Sequence, residues 1–267
     1  MRLLVSALTL CLSLFAFANL PAAATPASAE DREQSSHAEW TRLLQTYVKP
    51  YTDGINRFDY AALKANSADR AILKRYIARL SAEYDPDMPT NERFALLANL
   101  YNALTVQVII EDYPVSSIRD IKSGLLSNGP WSRNVTTLNG KAVSLDDIEH
   151  NMLRVQYNEP RIHYAVNCAS MGCPNLRRTA WEADTLDADL TDAAREYINH
   201  PRGVSVRKDG RLKVSRIYNW YREDFGGNEQ GVIDHLLTYA EPDLARKIRA
   251  RPDIASHGYD WSLNDTN

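Results

Sequence analysis

The sequence has 267 residues, of which 44% are hydrophobic and 24% charged, and its formal net charge is −3. This balance is typical of a globular protein with enough apolar residues for one sizeable core. It argues against a nucleic-acid-binding protein, because such proteins usually carry a basic stripe or a basic domain.

The N-terminus is typical of a secretory signal. Arg2 precedes an apolar run over residues 3–20, and small residues at 16–18 and 27–29 fit cleavage sites. We predict a signal peptide over residues 1–29 and a periplasmic or secreted protein, with an uncleaved membrane anchor as the alternative. No other stretch approaches the roughly 18 consecutive apolar residues of a membrane span. We therefore expect no stable membrane span after signal removal.

Apolar residues at helical spacing predict the helices, and turn residues predict the hairpins. Helices are predicted over residues 40–48, 59–80 with a break near Asn66, 91–112, a segment that begins after Ser144, 181–199, 231–239 and 242–249. Strands are predicted over residues 135–138, 141–143, 161–168, 204–207 and 212–215. No internal repeat and no long linker divides the chain. We therefore predict one domain over residues 30–267, with helices on a small, mainly antiparallel sheet and C-terminal helices over 228–267.

The segment over residues 91–112 is apolar nearly all round, which indicates a buried helix. Asn99 and Asn102 interrupt this pattern three residues apart, so they lie on neighbouring parts of the helix surface. A buried amide needs hydrogen-bond partners. These side chains therefore either bond to loop backbone or orient a site residue or a substrate.

A glutamate lies within the apolar stripe of the helix that begins after Ser144. Ser144 and Asp147 have the spacing of a capping box. Glu149 falls inside the buried stripe, and His150 lies at the margin of that stripe. Glutamate is rarely buried without a partner, so Glu149 either pairs with a buried arginine or belongs to a site.

Residues 161–168 alternate as a strand does. In a regular strand His163 and Asn167 share one face, and Cys168 lies on the other. His163 would then be a poor partner for Cys168. His150, from a separate element, is the better candidate for a base.

Two cysteines remain after signal removal, Cys168 and Cys173. Cys168 precedes small residues, including Ser170, that leave room for a substrate and for an oxyanion hole. A thiol next to a base is a candidate nucleophile. The alternatives are a Cys168–Cys173 disulfide in an oxidising compartment, or an inert buried thiol. A metal site built from His150, His163 and Glu149 is a weaker option, because the H-E-x-x-H spacing is missing. We therefore predict neither a metal nor a cofactor.

Three motifs resemble the domain of unknown function family 547 (DUF547). They are ALLANLYNALTV (95–106), SLDDIEHNMLR (144–154) and RIHYAVNCASMGCPNL (161–176), within a family-like core of about residues 40–227. The resemblance implies an α+β domain similar to papain-like or transglutaminase-like cysteine enzymes, with a rearranged chain order. The matching positions are Asn99, Asn102, Glu149, His150, His163, Cys168 and Ser170. Leu96-Leu97-Ala98 stands where the family usually has Phe-Trp-Ile, and His150 precedes Cys168 whereas papain-type enzymes have cysteine first.

These observations predict a cysteine-dependent hydrolase or acyl transferase that acts on peptide-like or small thiol-containing ligands. Its catalytic residues would be Cys168 as nucleophile, His150 as base and Glu149 as the orienting group. The substrate-binding residues would be Asn99, Asn102, His163, Asn167 and Ser170. A non-catalytic binding module for a small ligand or peptide, and a structural or assembly protein, are the alternatives.

Overall fold

The computed structural model describes residues 37–122, 124 and 129–267. The predicted signal peptide and its cleavage sites lie outside these residues. The described chain begins with α1 (Ala38–Tyr47), β1 (Val48–Lys49), β2 (Arg57–Phe58), α2 (Tyr60–Ala65), α3 (Ser67–Glu83) and α4 (Thr90–Asp112). The break predicted near Asn66 is confirmed, because the Asn66 side chain accepts the Asp69 N–H at 3.1 Å and caps α3.

The second part of the chain alternates short helices with short strands. A 3₁₀ turn (Ile118–Asp120) leads to β3 (Asn134–Leu138), β4 (Lys141–Ser144), a π-helix (Asp147–Arg154), α5 (Val155–Tyr157) and α6 (Ile162–Ala165). Then follow α7 (Leu186–Asn199), β5 (Val204–Val206), β6 (Leu212–Ser215), α8 (Ile217–Trp220), a 3₁₀ turn (Arg222–Phe225), α9 (Glu229–Tyr239), α10 (Pro242–Ala250) and β7 (Ile254–Gly258).

The described strands form three separate small sheets instead of the single sheet that we predicted. The β1–β2 and β3–β4 pairs are antiparallel hairpins, and β7 joins the antiparallel β5–β6 hairpin in parallel with β6. The strands do not merge because each hairpin packs on a different helix, β1 on α1, β3 on α3 and β5 on α7. The mixed helix-and-sheet class is confirmed.

The helix α4 is the centre of the larger hydrophobic core. Sixteen of its residues are buried, on every side of the helix. It is long and apolar enough to cross a membrane, but 89% of its most apolar window is buried inside the protein, as in the core helix of a globular protein. A second cluster of buried residues joins α7, β5, β6, α9 and α10.

Two asparagines of α4 each bind the main chain of another segment through both ends of the amide. The Asn99 Nδ2 atom donates to the Trp181 carbonyl at 2.9 Å, and its Oδ1 atom accepts the Trp181 N–H at 3.0 Å. Asn102 donates to the Ala165 carbonyl at 2.9 Å and accepts the Asn167 N–H at 2.8 Å. Both amides therefore satisfy buried main chain as a neighbouring strand would.

The predicted strand over residues 161–168 is wrong. Most of this segment is the short helix α6, which starts after Glu159 accepts the Arg161 N–H at 2.9 Å. The alternating pattern misled the prediction because residues 162–167 are buried on all sides, and periodicity does not distinguish a buried strand from a buried helix. His163 and Cys168 are therefore not held on opposite faces of a strand.

The predicted helix after Ser144 is confirmed, and it widens into a π-helix. Ser144 and Asp147 form the capping box, with the Asp147 carboxylate accepting the Ser144 N–H at 2.9 Å and the Ser144 Oγ accepting the Asp147 N–H at 3.1 Å. Glu149 is buried in the π-helix, whereas His150 is partly exposed. Segments of π-helix are rare and occur mostly at functional sites.

The prediction of C-terminal helices over residues 228–267 is correct for α9 and α10 and wrong beyond them. Pro252 disfavours continuation of α10, and the chain then forms β7 and an extended segment, residues 259–264, which we call the tail. The tail runs along the loop after Cys168. The Met171 N–H donates to the Ser262 carbonyl at 2.8 Å, and the Gly172 N–H donates to the Asp260 carbonyl at 2.8 Å.

We expect Asn102→Ala to lower the free energy of unfolding by about 2–3 kcal/mol, because it leaves buried main-chain groups without partners. Urea unfolding measures this change. Asn91→Ala, at an exposed position on the same helix, is the control and should change it by less than about 0.5 kcal/mol. Equal unfolding midpoints for the two variants would contradict the role that we assign to Asn102.

We expect Gly172→Ala to detach the tail, because a Cβ atom there would lie 2.8 Å from the Asp260 nitrogen and 2.9 Å from its carbonyl oxygen. Hydrogen exchange of the main-chain amides of residues 169–172 should become faster. Gly124→Ala is the control, since a Cβ atom at that position meets nothing within 4 Å. Unchanged exchange in Gly172→Ala would show that the tail tolerates the methyl group.

Candidate active site

A cleft of about 240 Å³ opens beside Cys168. Its polar lining consists of Asp146, Glu149, His150, His163, Cys168 and Cys173. Its other side, which we call the aromatic wall, consists of Trp131, Trp220, Tyr221, Tyr259 and Trp261. The cleft thus combines nucleophilic and titratable groups with a surface for flat or apolar groups, as ligand sites usually do.

Cys168 and Cys173 are free thiols that share a network of hydrogen bonds with Tyr259. The Tyr259 hydroxyl lies 3.0 Å from the Cys168 sulfur and donates to the Cys173 sulfur at 3.2 Å. The Cys168 N–H also donates to the Cys173 sulfur at 3.0 Å. Ser170 adds a hydroxyl at 3.3 Å from the Cys168 sulfur. We call Cys168 and Cys173 the thiol pair.

The thiol pair favours a state with one proton on two sulfurs. The hydrogen bond to Cys173, and burial after it, raise the pKa of the Cys168 thiol well above its ordinary value. Burial also opposes ionisation of Cys173, but hydrogen bonds from the Cys168 thiol, Tyr259 and the Cys168 amide outweigh it and lower the pKa of Cys173 to about 7. Because the two groups are coupled, the first proton leaves the pair as a whole.

His163 is held by a carboxylate at the edge of the cleft. Its Nε2 atom lies 2.7 Å from the Asp224 carboxylate, and its ring stacks on Tyr221 with 4.1 Å between ring centroids. Arg154 binds the same carboxylate through two nitrogens, at 2.6 and 2.9 Å. Burial opposes ionisation of Asp224, but His163 and Arg154 outweigh it and lower the pKa of this carboxyl well below its ordinary value. Asp224 therefore stays ionised and fixes the imidazole ring.

Glu149 and His150 follow each other in the π-helix but have different surroundings. The buried Glu149 carboxylate accepts the Tyr101 hydroxyl at 3.0 Å. Burial raises the pKa of Asp146, which lies 3.6 Å from the His150 Nε2 atom. The His150 Nδ1 atom lies 3.2 Å from Arg154, so His150 has a less compact arrangement of partners than His163.

The comparisons with known proteins agree with the motifs. Residues 86–198 match the family model of the protein of unknown function DUF547. The predicted resemblance is confirmed for this segment, which is less than half of the chain and shorter than the core of about residues 40–227 that we expected. No curated protein and no solved structure matches the chain significantly.

The DUF547 segment contains every residue that the sequence predicted for the site, but the structure brings only some of them to the cleft. Cys168, His150, Glu149 and His163 line it. Ser170 is buried directly behind the Cys168 sulfur. Among the described residues, no group of three or more histidine, cysteine or acidic side chains is arranged to hold a metal ion.

The three predicted asparagines lie outside the cleft, so the structure does not support the prediction that they bind substrate directly. Asn99 and Asn102 use their amides on the main chain of other segments, as described above. Asn167 is buried, donates to the Pro174 carbonyl at 2.8 Å and accepts the Ala169 N–H at 2.8 Å. This bond helps to hold Ala169 at a φ of 57°, a left-handed conformation that is uncommon for alanine. The asparagines therefore shape the loop that carries the thiols.

The sequence prediction missed Asp224, Tyr259 and most of the aromatic wall. Asp224 and Tyr259 lie outside the DUF547 segment, far along the chain from the residues that they contact. Tyr101 is also missing from the prediction, although it lies between Asn99 and Asn102 in the quoted motif. An aromatic-rich segment near residues 217–225 was the one available signal for Tyr221 and Asp224.

We expect the thiol pair to be alkylated by iodoacetamide with an apparent pKa of about 7. Tyr259→Phe removes a hydrogen bond to the thiolate, so the pH profile should move upwards by about one unit. Mass spectrometry gives the rate and position of labelling at each pH. Tyr51→Phe, at an exposed tyrosine, is the control. An unchanged profile in Tyr259→Phe would show that this hydroxyl does not stabilise the thiolate.

Proposed function

We propose that the protein is a cysteine-dependent hydrolase or acyl transferase that acts, after export to the periplasm or outside the cell, on peptide-like or thiol-containing substrates. The observation that carries this proposal is that Cys168 lines one cleft together with His163, whose ring is held by Asp224. A nucleophile, a base and a group that orients the base are what acyl transfer through a thioester requires. Papain-like and transglutaminase-like enzymes use the same three roles, and we extend the proposal to that type of site.

In the first half-reaction, the thiol pair supplies the nucleophile. Moving its one proton to Cys173 leaves the Cys168 sulfur anionic, and this sulfur forms a bond to the carbonyl carbon of the acyl donor. The bond to the leaving group breaks, and the leaving group takes a proton from His163. The Ser170 and Tyr259 hydroxyls, at 3.3 and 3.0 Å from the Cys168 sulfur, are the nearest donors to the developing charge.

In the second half-reaction, His163 takes a proton from water or from an acceptor amine or thiol. The resulting nucleophile attacks the thioester carbonyl, and the Cys168 sulfur leaves as the thiolate. Asp224 keeps the imidazole ring in one orientation through both steps. Trp220 and Trp261, with 5.5 Å between ring centroids, offer the acyl donor a flat apolar contact.

The structure favours His163 over His150 as the base, which revises the role that we assigned from the sequence. His163 has a carboxylate at 2.7 Å, whereas the carboxylate near His150 is 3.6 Å away. An oriented ring presents its second nitrogen in a fixed direction, and Nδ1 is that nitrogen in His163. His150 lines the same cleft and remains available for contact with the substrate.

A non-catalytic binding module is the second candidate. Within the described residues, the hydrogen-bond partners of the Cys168 sulfur are hydroxyl groups and its neighbour Cys173, not a ring nitrogen. The same cleft could therefore hold a small ligand or peptide through hydrogen bonds and aromatic contacts alone. In that case the protein would bind ligands without forming a covalent intermediate.

The test uses p-nitrophenyl acetate as an acyl donor of known chemistry. We expect a burst of p-nitrophenolate equal to the enzyme concentration, and an acetyl group on Cys168 located by mass spectrometry. Cys168→Ala should abolish both. His163→Asn should slow acylation about 10²–10⁴-fold, which is the usual contribution of a general base.

His150→Asn is the matched control, because it changes the other histidine of the same cleft and should slow acylation much less. Circular dichroism checks that each variant is folded. Acetylation of the wild-type protein at the same rate as Cys168→Ala would contradict the enzyme proposal and favour the binding module. A larger loss in His150→Asn than in His163→Asn would return the role of base to His150.

A further inference from the structure

A second cavity, of about 280 Å³, lies on the other side of the loop that carries the thiols. Its charged lining includes Arg202 and Lys213, and its apolar lining includes Ile55, Pro201 and Val214. Tyr259 lines both this cavity and the cleft. We call it the Arg202 cavity.

Arg202 is a largely buried cation without a carboxylate partner. In the described part of the chain no acidic side chain lies within 4.0 Å of its guanidinium, and its contacts are the Asn175 Oδ1 atom at 2.7 Å and the Met171 carbonyl at 3.4 Å. Its Nε atom is buried and has no hydrogen-bond partner among those residues. Burial lowers the pKa of this guanidinium, which is the effect of a missing counter-charge.

The acidic groups near the Arg202 cavity are already engaged elsewhere. Asp260 lines the cavity, and its Oδ1 atom accepts the Ser262 N–H at 2.9 Å and the Ser262 hydroxyl at 2.6 Å. Glu196 instead forms a hydrogen bond with Asn175. With Lys213 added, the charged lining has two cations and one anion, so it favours a negatively charged ligand.

We propose that the Arg202 cavity binds the carboxylate of a small organic acid, with the apolar part of the acid against Ile55, Pro201 and Val214. Arginine suits this role because its planar guanidinium donates directional hydrogen bonds to carboxylates. A buried arginine without a partner is costly, and a bound carboxylate removes that cost. The apolar lining favours an organic acid over an inorganic anion, which has no apolar part to bury.

Isothermal titration calorimetry of the full chain with hexanoate tests this site. Hexanoate should bind one molecule per chain, inorganic phosphate should bind more weakly, and hexylammonium should not bind at the same ionic strength. Lys213→Gln and Arg202→Lys should each weaken hexanoate binding, Arg202→Lys by at least about tenfold, since one charge-assisted hydrogen bond is worth that factor or more.

The controls are Lys208→Gln and Arg249→Gln, at exposed positions outside the cavity, and they should leave hexanoate binding unchanged. Binding should also survive alkylation of Cys168 by iodoacetamide, which separates this site from the cleft and from the proposed catalysis. Equal hexanoate affinity in Lys213→Gln and wild type, stronger binding of phosphate than of hexanoate, or loss of binding on alkylation would each overturn the proposal.

Discussion

The amides of Asn99 and Asn102 are the interactions on which the rest of the site depends. They project from a helix that is buried on every side, so their positions are fixed by the core of the protein. Asn102 holds the main chain at residues 165 and 167, between the histidine that precedes these positions and the cysteine that follows them. Unpaired main-chain groups are most costly in an apolar interior. The spacing of imidazole and thiol is therefore set by the core rather than by the loop itself.

The site combines two parts of the chain with different contributions. The DUF547 segment provides the thiol pair, the imidazole and the buried Glu149. The part beyond it provides the carboxylate that holds the imidazole and the phenol that contacts both sulfurs. The nucleophile and the base thus lie inside the matched segment, whereas the groups that tune them lie outside it. A fragment limited to residues 86–198 would lack Asp224 and Tyr259.

The sequence predicted the features that depend on local signals, namely α4, the break at Asn66, the two longer hairpins, the cap at Ser144 and the burial of Glu149. It failed at residues 161–168, where a segment buried on all sides gives the same pattern as a strand. It also failed beyond Pro252, where pairing of β7 with β6 is a contact between distant residues. Asp224 and Tyr259 could not be assigned for the same reason: a single sequence does not show which distant residues meet.

The tail also determines when the site can exist. Tyr259 follows Cys168 by 91 residues, so during synthesis both thiols emerge long before the hydroxyl that contacts them. Domains begin to fold from the N-terminal side while the remainder is still being made, and α4 with its asparagines can order the loop at that stage. Until the tail is in place, however, the two sulfurs lack the Tyr259 hydroxyl and one side of their enclosure. The final folding step of this region is therefore also the step that sets the acidity of its cysteines.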